Sequence, residues 1–201
     1  MSGDSIVKEI IKKANARLKF LYRHKNLLNF QYRKTRCSAL IQCHFDYSCS
    51  SWYTGINKGL KDKLQITQNK ITRFILNYDS RAHVGHKELA KAGFLNVSDR
   101  VKQLKLGHVF KIKNKTSPYY LSTNFQRLNE IENRPVTRGT SNNFFRPRIC
   151  TDTFTYSAIR EWNELPSKIK DIKSEKAFKD TLKKHLLDEA EKKYNSPYIY
   201  Y

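Results

Sequence analysis

Acidic side chains are scarce in this sequence: 18 Asp and Glu face 39 Lys and Arg over 201 residues, a formal charge of +21. An excess of that size favours a polyanionic partner, such as nucleic acid or an anionic membrane surface. No apolar run reaches the roughly 18 residues of a spanning helix, so no membrane-crossing segment is expected. The opening MSGDSIVKEIIKK lacks the unbroken apolar stretch of a signal peptide, which places the expected chain inside the cell, in nucleus or cytoplasm, and not among secreted proteins. Four cysteines in such a chain are expected to stay thiols. Adjacent aspartates, a glycine-rich phosphate loop and a GxSxG turn are all missing.

What is present is enough to fold. Hydrophobic residues make up 39% of the chain and aromatics 12%, which supports a core and argues against wholesale disorder. The charge is uneven. Residues 1–78 carry 15 Lys and Arg against 4 Asp and Glu, residues 79–150 carry 14 against 5, and residues 151–201 carry 10 against 9. A polyanion-facing surface is therefore expected in the first three quarters.

Ile6, Val7, Ile10, Ile11, Ala14, Leu18 and Leu21 recur at helical spacing, with Asp4 or Ser5 as the expected cap of a helix over 4–23. Lys8, Lys12, Lys19 and Arg23 fall on the opposite face, a basic stripe suited to lie along a phosphate backbone. An ordinary solvated face has the same pattern.

A second helix is expected over 31–53, with Cys37, Leu40, Ile41, His44, Ser48 and Trp52 on one face. It contains the densest cluster of chemistry-bearing residues, IQCHFDYSCSSWY. His44 and Asp46 point in different directions on a helix, and Cys43 and Cys49 are nearly opposed. Neither CxxC nor HExxH occurs, so Cys37, Cys43 and Cys49 are expected to act as small core residues, not as zinc ligands. The run from Ser48 to Ser51 forms a small-residue patch that admits a neighbouring helix, and Trp52 is expected to be buried beside it.

A third helix is expected over 58–76 with Leu60, Leu64, Ile71, Phe74 and Ile75 inward, completing a small antiparallel bundle. A short helix ended by Gly93 follows, with His83 and His86 at its entrance and no third ligand near them in sequence. Ser98 is expected to cap a helix running to 114, with Val101, Leu104, Val109 and Ile112 apolar. Beyond it come a polar linker with "SPYYL" as a docked turn, "FFRPRI" as a short extended arm, and a helix through Phe154, Ala158 and Trp162 stopped before Pro166. Ser174 opens a last helix with Phe178, Leu182, Leu186 and Ala190, and NSPYIYY is a frayed tail. The fold class is mainly α: a helical bundle over 1–78, a helical extension over 79–116, the linker over 117–143 and a C-terminal helical segment over 144–201.

The ordered set IIKKANARLKFLYR, SALIQCHFDYSCSSWY, KLQITQNKITRFILN and WNELPSKIKDIKSEKAFKDTLKKHLL resembles the thumb and C-terminal region of jockey-like non-LTR retrotransposon reverse transcriptases, collinearly from about residue 8 to 187. The resemblance implies that the first three helices form a thumb-like bundle contacting the minor groove of a template–primer duplex. It also implies that His44, Phe45, Asp46, Tyr47, Trp52, Trp162, Pro166 and Phe178 are a structural signature. The family pattern has proline before HFDY where this chain has Cys43, a departure that further disfavours a cysteine metal site. The palm and fingers of such a polymerase are expected upstream of Met1, and they are the expected protein partners.

Two-metal phosphoryl transfer needs paired carboxylates, so neither catalytic residues nor a cofactor is expected. The competing readings are a protein-interaction module for acidic partners and a small metal-dependent hydrolase drawing on His44, Asp46, His83 and His86. Spacing favours a chain without stoichiometric zinc. Elemental analysis after mild dialysis checks this; about one zinc per chain, lost together with folding in Cys43→Ser, would restore the metal reading.

Overall fold

The computed structural model describes residues 3–128, 142–146 and 154–195, and they are mainly helical. None of these helices is long and apolar enough to cross a membrane. The chain divides into two compact units, residues 1–101 with 186–201, and residues 102–185.

In the first unit, α1 (Gly3–Arg23) buries Val7, Ile10, Ala14, Leu18 and Leu21, the expected stripe. It starts at Gly3, so Asp4 and Ser5 lie inside the first turn, where the Asp4 carboxylate opposes the positive end of the helix dipole. α5 (Lys58–Leu76) has the expected limits and buries all five expected side chains. Asn57 caps it by accepting from the Leu60 amide at 2.9 Å, and left-handed Asn77 (φ 61°) ends it. α5 packs on α1, on α2 (Phe30–Cys37) and on α6 (His86–Ala92). Gly93 closes α6 at φ 84°, as expected of a left-handed stop.

The second helix is not continuous. α2 runs into a wide π turn (Ser38–Gln42), then α3 (Cys43–Asp46), a break, and α4 (Cys49–Trp52). The π turn retards the helical phase. Phe45 and Cys49 therefore join Cys37, Ile41 and Trp52 inside, while His44 is half-buried and Leu40, Cys43 and Ser48 are exposed. The expected face, and Cys43 as a core residue, are corrected accordingly.

At the break Tyr47 is extended and Ser48 is left-handed (φ 48°). Serine-rich backbone supplies its own alternatives to helix bonds. The Ser51 hydroxyl donates to the Ser48 carbonyl at 2.8 Å, and the Trp52 indole donates to the Tyr47 carbonyl at 3.0 Å.

α7 (Val97–Lys113) begins one residue before Ser98, and its cap is Asn96, which accepts from the Asp99 amide at 2.7 Å. In the second unit α8 (Tyr119–Ser122) exposes both tyrosines, so "SPYYL" is not docked. The described part of the arm makes one antiparallel bridge, Arg127 with Phe144; residues 147–149 of FFRPRI and 129–141 of the expected linker lie outside the described residues, as does the expected tail from 196 onward.

α9 (Phe154–Asn163) ends before Pro166, and α10 (Ser167–Lys170) follows. The W-N-x-L-P segment clamps the arm. Trp162 Nε1 donates to the Asn142 carbonyl at 2.9 Å. The Asn163 amide brackets Phe144 on both sides, accepting from its N–H at 3.0 Å and donating to its carbonyl at 2.8 Å. Lys170 Nζ completes the clamp at 2.8 Å from both Asn143 Oδ1 and the Asn163 carbonyl. Trp162 also meets Phe144 and Phe178, and Phe178 stacks on Phe110 at 4.4 Å, forming the aromatic centre of this unit. Phe178 belongs to α11 (Glu175–Asn195), whose Phe178, Leu182, Leu186 and Ala190 are buried as the spacing predicts.

Trp52 lies at the closed end of the broken helix, with its ring buried and its N–H satisfied. Trp52→Ala should cost about 3–5 kcal/mol of unfolding free energy in a denaturant titration. Unchanged stability would contradict the burial.

Candidate nucleic-acid interface

α1 carries the strongest functional pattern because four cations align opposite its buried apolar stripe. At 100° per residue, Lys8, Lys12, Lys19 and Arg23 fall within an arc of about 60°, roughly opposite the buried stripe. All four are exposed, and among the described residues none is ion-paired with a carboxylate. They form two pairs, each about 6 Å along the axis, separated by about 10 Å. Glu9 stands beside the stripe, and Lys13 pairs with it at 3.5 Å on the surface.

The surrounding sequence strengthens this field. Between Glu9 and Asp46 the chain carries nine Lys and Arg and no carboxylate. This signal was legible in the sequence, and the four-residue stripe understates it. Lys25 lies 5.8 Å over the ring of Tyr22, itself partly exposed, so part of that charge sits against an aromatic surface.

The signature residues divide by role. Phe45 and Trp52 are core. His44 meets the Arg17 guanidinium at its Nε2, and Arg17 also donates to the Leu40 carbonyl in the π turn. Partial burial, then Arg17 and Lys13, hold the His44 pKa below its ordinary value, so the neutral ring is favoured. Tyr47 is 80% exposed, which corrects its expected packing role; its backbone is what is used, the N–H donating to the Cys43 carbonyl and the carbonyl accepting from Trp52. Trp162 and Phe178 are buried, whereas Pro166 is exposed and acts by stopping α9 and opening α10.

Asp46 is neither a free surface carboxylate nor an available metal ligand. Arg100, the fourth residue of α7, grips it through two nitrogens, Nε to Oδ1 at 3.1 Å and a terminal nitrogen to Oδ2 at 2.7 Å, while Gln42 donates to Oδ1 at 2.9 Å. Sequence reasoning missed this pair, whose partners lie 54 residues apart. Among the described residues no group of three or more His, Cys, Asp and Glu is arranged to hold a metal ion.

A cleft of about 340 Å³ between α5, α6 and the start of α7 is lined by Tyr53, Lys61, Gln65, Asn69 and Ser98 among others. Its polar groups largely satisfy one another. Gln65 donates to Gln68 and Asn69 and accepts from the Val97 amide, and Tyr53 bonds Ser98.

Comparison with family models, curated proteins and solved structures gives no match.

Asp46 joins α3 to α7 through a partly exposed bidentate pair. Asp46→Asn should cost about 1–2 kcal/mol in chemical denaturation, and Arg100→Lys should reproduce most of that loss because an ammonium cannot make the two-pronged contact. Wild-type stability in both variants would show the pair to be ornamental.

Proposed function

We propose that this chain is a non-catalytic, nucleic-acid-binding piece of a retrotransposon-type RNA-directed DNA polymerase, matching the thumb and the C-terminal region by the resemblance described. Its α1 stripe lies along the backbone of an RNA or DNA duplex. The observation that carries the reading is nine cations without a carboxylate across residues 10–45, displayed in part as an exposed stripe, without an ion pair among the described residues, on a helix whose other face is core. The proposal assigns no catalytic residue, because the sequence holds no aspartate pair.

Physically, the stripe is a line of point charges about 22 Å long, enough to follow roughly six base pairs. Each phosphate it neutralises releases condensed counterions, so affinity falls steeply with salt. Sequence preference is slight, since phosphate contacts position a duplex without reading bases. Missing palm and fingers domains supply the template-directed chemistry in this reading.

Duplex binding measured at several salt concentrations tests it. A variant with Lys8, Lys12, Lys19 and Arg23 all changed to Gln keeps helix propensity and leaves the buried face intact. Its log–log salt slope should flatten by about 3–4 units relative to wild type, from roughly 0.9 per phosphate. An unchanged slope assigns the stripe to solvent alone and defeats the proposal.

A further inference from the structure

The last turns of α1 carry a second feature that a duplex-backbone contact leaves unused. One residue on from each cation of the Lys19–Arg23 column stands Phe20 and then His24, whose rings meet edge to face at 5.4 Å. Phe20 is 51% exposed and Leu27, in the 3₁₀ turn Lys25–Leu27, is 82% exposed, an unusual outlay of apolar surface on so charged a segment. Together with Leu21, Leu28 and Arg36 they line a mostly apolar groove of about 320 Å³. Arg36 is the charged side chain among its lining residues, and the stretch 10–45 that supplies the whole lining carries no carboxylate.

We infer that the groove receives an unpaired nucleobase next to the end of a bound duplex, stacked on Phe20, with Lys19, Arg23 and Arg36 on its flanking phosphates. This inference rests on the duplex-binding reading and adds a single-stranded ligand at its edge. An aromatic face accepts any base, because every base offers a π surface, whereas the cations track the backbone. The alternative occupant, an amphipathic protein helix about 10–12 Å across, needs a longer trough than six residues around one ring provide. A groove meant for an apolar partner alone also gains nothing from Arg36 in its wall and a lining drawn from a stretch without carboxylates.

The experiment uses the full chain and three versions of one duplex: blunt, with a short base-carrying overhang, and with the same overhang made abasic. The base-carrying overhang should bind roughly tenfold tighter than the blunt duplex, and the abasic overhang should lose most of that gain. Phe20→Ala should abolish the increment while leaving blunt-duplex affinity and its salt slope unchanged, and Phe20→Trp should retain it. Leu27→Ser, at a side chain too exposed to carry the fold, should reduce it. An increment that survives in the abasic duplex reports phosphates only and overturns the inference, as does one that survives Phe20→Ala. If blunt duplex is bound with the expected salt slope but no overhang is preferred, the inference fails alone. If no duplex is bound and an acidic amphipathic peptide occupies the groove instead, both fail together.

Discussion

The shortage of carboxylates governs how this chain is held together. Each anion is a limited resource among more than twice as many cations, and several are placed where a single charge serves two structural tasks. Asp46 fastens Arg100 and accepts from Gln42. Glu161, by contrast, serves one: a single oxygen meets the buried Lys105 at 2.9 Å, where the Ser157 hydroxyl also receives the ammonium. Glu175 accepts from both Lys111 and Lys179, and those bonds hold its carboxyl below the usual range. Several partly or fully buried cations turn to backbone carbonyls instead. Arg73 donates to Ala82 at 2.7 Å, Arg127 and Arg33 to carbonyls of Lys113 and Phe74, and Lys113 and Lys170 to carbonyls around α9 and α10. Carbonyls left over by helix ends and turns thus replace anions the composition does not supply.

That economy clarifies what the sequence could show. α1, α5 and the apolar positions of α11 were legible because period and burial coincide there over several turns. The interruption after Asp46 was not. Serine is a weak marker of left-handed backbone, and a π turn shifts phase without any composition of its own. His44 and Ser48 therefore read as inward while Phe45 and Cys49 took their places. Asn96 displaced Ser98 as the cap of α7 by one favourable geometry against another, a choice that propensity alone does not make.

The candidate interface shows the same division. The exposed stripe on α1 followed from periodicity, and the carboxylate-free run around it was present in the sequence for counting. The groove beside Phe20 was not, because it needs Leu27 and Arg36 brought against α1 by a turn that no pattern announces. The W-N-x-L-P segment is the converse case. Its residues stood out by resemblance, but their work became visible only once Asn163 was seen bracketing Phe144 and Lys170 closing over the arm.

The lysines consequently form two chemical populations. Lys170, 2% exposed and bonded on two sides, lies beyond the reach of an acylating reagent or enzyme while the fold persists. Lys8, Lys12 and Lys19 stand in solvent with nothing to shield their amines. Acetylation, which deletes the charge and keeps the stem, would therefore erase the exposed cationic field of α1 first and spare the ammonium that clamps the arm. A cell or a chemist could switch that field off without loosening the scaffold that displays it.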